Sequence, residues 1–484
     1  MSKRVVALLI LIIGGVVWLA ACAAEPQVVE VEVEVTRVVT ETVTETITQE
    51  IEVTRVVEGE TITEVVEVEV EVPAEPAMMY PGVTIEGIMR NSFIPQMNQV
   101  QLSQAGAFEA MSEAAVDLTF SREWREQVAA AVESGAGGDI SELFANQAFI
   151  YGDQLLDVSD IAEELDEKYG GWYGLGREAS VVDGVWRAIP RAYTAQAINY
   201  REDIFAEAGI DTIPTTYDEL LEAAKMISDA GLPPMGFTMN QAGPNDSANF
   251  AYSLLWSMGG KEVDEDGCTV AINSPETRVA LEYMIELGQY MAPDVTAYDE
   301  GGNNRAFLGG EISATQNATS IYWTALRQGT TTADGVNIAE NMNHFPYPAG
   351  PAGRQEFVQM NLLSIPAHTE NPEAAKAWLR WMMEPSQLGP LSAVGITFYT
   401  PLLHYYDDDP SMPWNVDPKL AALKGSADGG HLAGWPGPAS RESAEAYENQ
   451  TIVNMFASVL TGTDVEEAVT RAEEELSTVY SCGG

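Results

Sequence analysis

Metal and nucleophilic sites are built mainly from cysteine and histidine, and this chain of 484 residues has three cysteines and four histidines. Cys22, Cys268 and Cys482, and His344, His368, His404 and His431, are widely scattered. They form no CxxC or HExxH, and no P-loop is present, so zinc and nucleotide sites have no support. The run DEDGC at 264–268 begins like a calcium loop, but Pro275 stands where the twelfth-position glutamate is required. Asp266-Gly267 is better read as a hairpin turn between 261–263 and 269–272. The chain carries 73 acidic residues, so some pair always lies at glycosidase spacing and abundance argues nothing. No Gly-x-Ser-x-Gly elbow occurs. No catalytic residue, cofactor or metal is expected.

Amides, hydroxyls and aromatic rings in loops remain. They suit a hydroxyl-rich solute, whose C–H faces pack on rings and whose buried hydroxyls cost about 1–3 kcal/mol each if left unpaired. The elements that must position such groups follow from periodicity. Segment 82–90 reads as a strand, 99–112 as a helix and 114–120 as a second strand. A helix with Trp124, Val128, Ala131 and Val132 on one face ends in glycines, and 139–144 is a third strand. Strands alternating with helices indicate a parallel sheet in an α/β layer fold. Segments 185–190 and 194–200 are further strands, followed by a helix over 202–208. Thr216 and Glu219 form a capping box, with Leu220, Leu221, Ala224 and Ile227 on the buried side of its helix. Asn371 and Pro372 occupy the cap and first position of another.

The chain opens with Lys3 and Arg4, an uncharged apolar run over 5–19, and then Leu19-Ala20-Ala21-Cys22. This is the layout of a secretory signal segment over 1–21. The last four residues resemble the lipobox of bacterial lipoproteins, which implies cleavage before Cys22 and its lipidation. Residues 25–76 are low in complexity, with EVTRVV at 34–39 and again at 52–57. Alternating apolar and acidic residues favour an extended chain. Residues 22–81 are therefore expected to be a lipidated, acidic stalk, with self-association as sheet or coiled coil as the alternative. In an oxidising compartment Cys268 and Cys482 either bridge or stay separate thiols. A net charge of −49 excludes nucleic acid as a partner.

The order GAGGDI, LLDVSDI, DGVWRAIP, INYREDIFAEAGI, PTTYDELLEAAKMI, followed by RAFLGGEISATQNATSIYW, FPYPAGPAG and IPAHTENPEAAKAWLRWMMEPSQ, resembles the extracellular solute-binding proteins of family 1. These are sugar receptors of ABC importers, similar to maltose-binding protein. The chain departs from the family pattern at Gly138-Asp139, at Glu311-Ile312-Ser313-Ala314, and at Thr319, where an aromatic is usual. The resemblance implies a two-lobed, type II periplasmic-binding-protein-like α/β fold. It puts 82–192 plus 347–384 in one lobe and 193–346 plus 385–484 in the other. Crossings fall near 190–194, 347–350 and 384–388. It implies a non-catalytic monomer, lipid-anchored outside the cell, that captures a carbohydrate, an oligosaccharide, and delivers it to permease subunits. An extracellular hydrolase and a same-fold receptor for a non-sugar solute are the competing classes.

The expected ligand-binding residues are Asn91 and Ser92 after the first strand, and Asn146 and Gln147 after the third. Tyr193 and Thr194 lie at the first crossing. Asn245, Asp246 and Asn249 lie in QAGPNDSANF, and Trp323 and Trp435 are the aromatic candidates. Each also has a structural use: Asn146 as a helix cap, Asn245 and Asp246 as turn residues, Tyr193 and Trp323 as core. Trp172, Trp186, Trp256, Trp378 and Trp381 are read as packing residues.

Overall fold

The structure, a computed structural model, describes residues 43–57, 60–73, 79–241, 245–424 and 429–482. The signal segment 1–21, the lipidation site Cys22 and the side chain of Asn245 lie outside the described residues. The chain divides into two units, Met1–Ala77 and Met78–Gly484. In the first, β1 (Val43–Val57) and β2 (Glu60–Pro73) pair antiparallel, with Ile51 opposite Val66. The stalk sequence is thus folded back on itself over this stretch rather than extended singly. Long β-branched strands leave rows of unpaired backbone groups, and an adjacent strand of the same pattern satisfies one row.

In chain order the strands that frame the second unit are β3 (Thr84–Arg90), β4 (Ala115–Ser121), β5 (Ile140–Phe144), β6 (Ile189–Thr194), β7 (Ala197–Arg201), β8 (Ala314–Asn317), β9 (Met342–Phe345) and β10 (Gln359–Ser364). One sheet has the order β4-β3-β5-β10-β6, the other β8-β7-β9. β3 runs parallel to β4 and β5, as the strand–helix alternation requires. β10 runs antiparallel to β5 and β6, and the second sheet is antiparallel throughout. The first sheet is therefore mixed, because β10 enters from the other lobe instead of through a local crossover helix. β5, β6, β7, β8 and β10 are buried along their whole length.

The helix after β3 spans Pro95–Ser112, starting earlier than periodicity suggested because Pro95 pre-sets the first turn. The capping box at Thr216 forms in full: Thr216 Oγ1 accepts from Glu219 N at 3.2 Å, and Glu219 Oε2 accepts from Thr216 N at 3.1 Å. Leu220, Leu221, Ala224 and Ile227 are buried, as are Trp124, Val128, Ala131 and Val132. Asn371 makes no side-chain cap bond; its amide turns instead toward Asp139 Oδ1, at 3.4 Å. The hairpin around Asp266-Gly267 reduces to a Val263–Val270 bridge, with Asp266 Oδ1 accepting from Thr269 N at 2.8 Å. Beside it, Cys268 and Cys482 form a disulfide.

The first crossing lies between β6 and β7. The second falls later than 347–350. Tyr217 N donates to Ala349 O at 3.0 Å, Ala352 N to Ser257 O at 2.9 Å, and Phe357 N to Ser253 Oγ at 3.1 Å, so this stretch stays with the second lobe until Val358. Only glycine fits at Gly350, where a Cβ would stand 2.3 Å from Ser257 O. The third crossing also falls later than 384–388. Helix Pro385–Val394 packs on Pro95–Ser112, Tyr399 Oη donates to Glu142 Oε1 at 2.8 Å, and Tyr193 N donates to Thr400 O at 2.9 Å, all within the first lobe. Asp417, which accepts from Tyr322 Oη at 2.6 Å, is already in the second. Side-chain packing sets these two boundaries, and no local sequence signal marks them.

Candidate functional site

Between the lobes lies a narrow cavity of about 20 Å³, room for about one water with the lobes in this arrangement. The first lobe contributes Arg90, Phe93 and Phe398; the crossings contribute Thr194, Gln196 and Gln359; the second lobe contributes Asp246, Glu300, Asn304, Asn317, Ala318 and Ser320. These residues sit at strand ends and helix starts: Arg90 closes β3, Thr194 closes β6, Asn317 closes β8, and Asp246 lies in the first turn of helix Asn245–Ser257. Ligand crevices of open α/β sheets form at such strand ends.

Asp246 is the hub of the second-lobe wall. Its Oδ1 accepts from Gln196 Nε2 at 2.9 Å, and its Oδ2 from Asn303 Nδ2 at 3.0 Å and Asn317 Nδ2 at 3.2 Å. These bonds fill three of about four acceptor positions on a carboxylate. Burial pushes its pKa up to about 6; the bonds from Asn303 and Gln196 oppose that, Glu300 adds to it and Arg90 lowers it. Beside it, three polar side chains close a ring. Asn317 Nδ2 donates to Asn304 Oδ1 at 2.8 Å, Asn304 Nδ2 to Ser320 Oγ at 3.0 Å, and Ser320 Oγ to Asn317 Oδ1 at 2.9 Å. The wall is thus pre-organised, with little side-chain freedom left to lose on binding.

The lobes also touch directly. Trp323 Nε1 donates to Val394 O at 2.9 Å, and Thr319 Oγ1 donates to Gly395 O at 3.2 Å. The next two residues, Ile396 and Thr397, have φ values of 44° and 67°. β-Branched residues rarely adopt that region, at a cost of order 1–3 kcal/mol each. The strained turn places Phe398 on the cavity wall.

Of the residues expected from sequence, Thr194 and Asp246 line this cavity; the others described lie elsewhere. Asn91 Oδ1 accepts from Asn98 Nδ2 at 2.7 Å, and Ser92 Oγ accepts from Ile94 N at 3.1 Å, so both shape the entry to helix Pro95–Ser112. Asn146 is buried and spends its amide on Ala433 O at 3.0 Å and Ser443 Oγ at 2.9 Å. Gln147 Oε1 accepts from Phe144 N at 2.9 Å. Tyr193 faces away from the cavity, into a separate pocket with Tyr406 and Trp414, because its neighbour Thr194 takes the inward position on the strand. Asn249 is buried, donating to Phe357 O at 3.0 Å and accepting from Gln359 Nε2. Trp323 is buried at the interlobe contact. Trp435 stacks on His431, ring centroids 4.0 Å apart, and meets Trp256 edge-on.

Sequence reasoning passed over Arg90, although it immediately precedes Asn91 at the end of the first strand. It also passed over Asn304, Asn317 and Ser320. Their signal was the concentration of amides in GGNNRAF and TQNATS. Gln196, Glu300, Gln359 and Phe398 carry no local signal, since only the lobe arrangement gathers them.

A cleft between two α/β lobes, floored by the crossing segments and walled by fixed amides, defines a solute-capturing protein. The sequence profile described as "Bacterial extracellular solute-binding protein" matches residues 101–388, and the chain belongs to that family, which places it outside the cytoplasm. A putative binding protein of Brucella abortus (strain 2308) is 31% identical over 160 residues, covering 31% of this chain and 38% of that relative's length. The diacetylchitobiose binding protein DasA of Streptomyces coelicolor is 23% identical over 322 residues, covering 65% of this chain and 72% of the relative. Among solved structures, maltose-bound MalE3 of T. maritima superposes with a TM-score of 0.69 at 23% identity, covering 82% of this chain and 100% of that one. This likeness establishes the two-lobed type II fold.

Proposed function

We propose that the protein is the solute-capturing component of an ABC importer for a carbohydrate, an oligosaccharide, held at the outer face of the cell membrane by lipid on Cys22. The observation that carries the proposal is the interlobe cavity, where Asp246 and the Asn304–Asn317–Ser320 ring face Phe93 and Phe398. Hydroxyls find fixed donors and acceptors on one side, and C–H faces find rings on the other. Solute bridging both walls favours the closed arrangement, and permease subunits would read the joined surface of the two lobes. The sugars named for the relatives, maltose and diacetylchitobiose, agree with this ligand class.

Two carboxylates, Asp246 and Glu300, face the same cavity, and a glycosidase also needs a pair. The three donors on Asp246 stabilise its ionised form, so in a glycosidase it would be the base or nucleophile and Glu300 would have to supply the proton. A thermal-shift screen of mono- and oligosaccharides separates the two readings. A sugar that raises the midpoint and is recovered intact supports capture; its hydrolysis identifies an enzyme. Cys22→Ser is expected to move the protein out of the detergent phase, and retention there would refute the lipid anchor.

A further inference from the structure

Arg90 is 5% exposed and lines the interlobe cavity. Its guanidinium lies among rings, with Trp124 and Phe144 at 5.4 Å, Phe93 at 5.7 Å and Phe398 at 6.0 Å. Nη1 is fully buried and has no hydrogen-bond partner among the described residues. The nearby buried carboxylate is already engaged. Glu142 Oε1 lies 2.9 Å from Arg191 Nη2 and accepts from Tyr399 Oη at 2.8 Å, while Oε2 accepts from the Arg90 backbone N at 3.2 Å. Arg90 therefore meets this carboxylate through its backbone N, while the Arg191 guanidinium is the one ion-paired with it. Aromatic faces offset part of the charge of Arg90, but a buried ion without a hydrogen-bonded counter-ion remains unfavourable. The cavity is polarised as a result, with a cation on the first-lobe wall and Asp246 with its amide donors on the second.

We propose that Arg90 is an anion subsite, and that the solute is a hydroxyl-rich molecule bearing one carboxylate, such as a hexuronate or a uronate-ended oligosaccharide. This rests on the carbohydrate reading above and narrows it. A guanidinium is planar and pairs with a carboxylate through two parallel hydrogen bonds, which supply both the missing acceptor and the missing charge. A phosphate dianion suits the site less well, because one guanidinium would face two negative charges with Asp246 and Glu300 opposite. The hydroxyls of the same solute then donate to the remaining acceptor capacity of Asp246.

The test is equilibrium binding to the detergent-solubilised full chain, using a panel of hexuronates and diuronates. Each is matched with its neutral parent sugar and with the sugar 6-phosphate. At least one uronate is expected to bind tenfold or more tighter than its neutral parent. Arg90→Gln should lose tenfold or more for the uronate and threefold or less for the parent, with Arg90→Lys in between. The matched comparison on the unsubstituted chain needs no variant, so a misfolded Arg90→Gln does not spoil it. Equal or tighter binding of the neutral parents overturns the anion subsite and leaves the carbohydrate reading standing. Preference for the 6-phosphates overturns the choice of carboxylate. Binding of no sugar at all, neutral or charged, removes both this inference and the reading beneath it.

Discussion

Asp246 is held ionised by hydrogen bonds and pushed toward neutrality by burial, and its pKa of about 6 is the outcome of that contest. Ligand hydroxyls donate more strongly to the ionised form, which offers more acceptor positions and a full charge. Affinity is therefore expected to be full above pH 6 and to fall as pH drops through that value, measured by titration calorimetry between pH 5 and 8. Asp246→Asn should lower affinity about 10- to 100-fold at pH 7.5, the range for losing a hydrogen bond to a charged group, and should flatten the pH profile. An unchanged profile in the variant would mean that another group titrates. At the same scale Asn146 shows how an amide can mislead: its position after β5 suggests a ligand contact, yet its two donors lock the 433 loop and helix Arg441–Glu448.

The last helix, Val465–Val479, is tied to the second lobe at several points. Arg278 grips Glu466 through Nε and Nη2 at 2.6 and 2.7 Å. Asn273 Nδ2 reaches Glu473 Oε2 at 2.7 Å, Tyr480 Oη donates to buried Glu262 Oε1 at 2.7 Å, and the Cys268–Cys482 disulfide closes the end. Burial raises the pKa of Glu262 from 4.5 to about 7, against the hydrogen bond from Tyr480. The folded state thus holds this proton more tightly than the unfolded chain does. The stabilisation is present in full below pH 4.5 and is lost as pH rises through about 7. Glu262→Gln keeps an acceptor for Tyr480 and removes the charge, so it should stabilise the protein by about 1–3 kcal/mol at pH 8 and change little at pH 4.5, as read from denaturant midpoints. Cys268→Ser should cost about 2–4 kcal/mol by releasing a long loop in the unfolded chain, with wild type under reducing agent showing the same loss.

At the scale of the whole second unit, the two lobes meet through the solute cavity, through Trp323 and Thr319 against Val394 and Gly395, and through Asn146 against Ala433 and Ser443. Trp323 lies outside the cavity lining and bonds across the lobes, so its expected effect on binding is through closure. Trp323→Phe removes one interlobe hydrogen bond, worth about 0.5–1.5 kcal/mol. It should weaken solute affinity about 2- to 10-fold while leaving ligand preference unchanged. Small-angle scattering should show a smaller ligand-induced contraction for the variant at equal ligand concentration. Identical curves with and without solute would rule out hinge closure.

Local pattern was enough for the sequence to determine the strand–helix alternation, the capping box at Thr216, the buried faces of the helices carrying Trp124 and Leu220, and the resemblance to family 1 solute-binding proteins. The first three depend on residues within a few positions of one another, where periodicity and backbone chemistry act, and the resemblance depends on the order of such short segments along the chain. Tertiary structure alone decided that β10 joins the first sheet antiparallel, that 385–403 stays with the first lobe, and that Cys268 meets Cys482. It also decided the cavity. Arg90, Gln196, Asp246, Asn317 and Phe398 come from segments far apart in the chain, and neither periodicity nor spacing records which of many amides and rings will face the gap. Trp435 and Tyr193 carry the right chemistry but turn to other partners, because each side chain goes where packing of the whole lobe leaves it room.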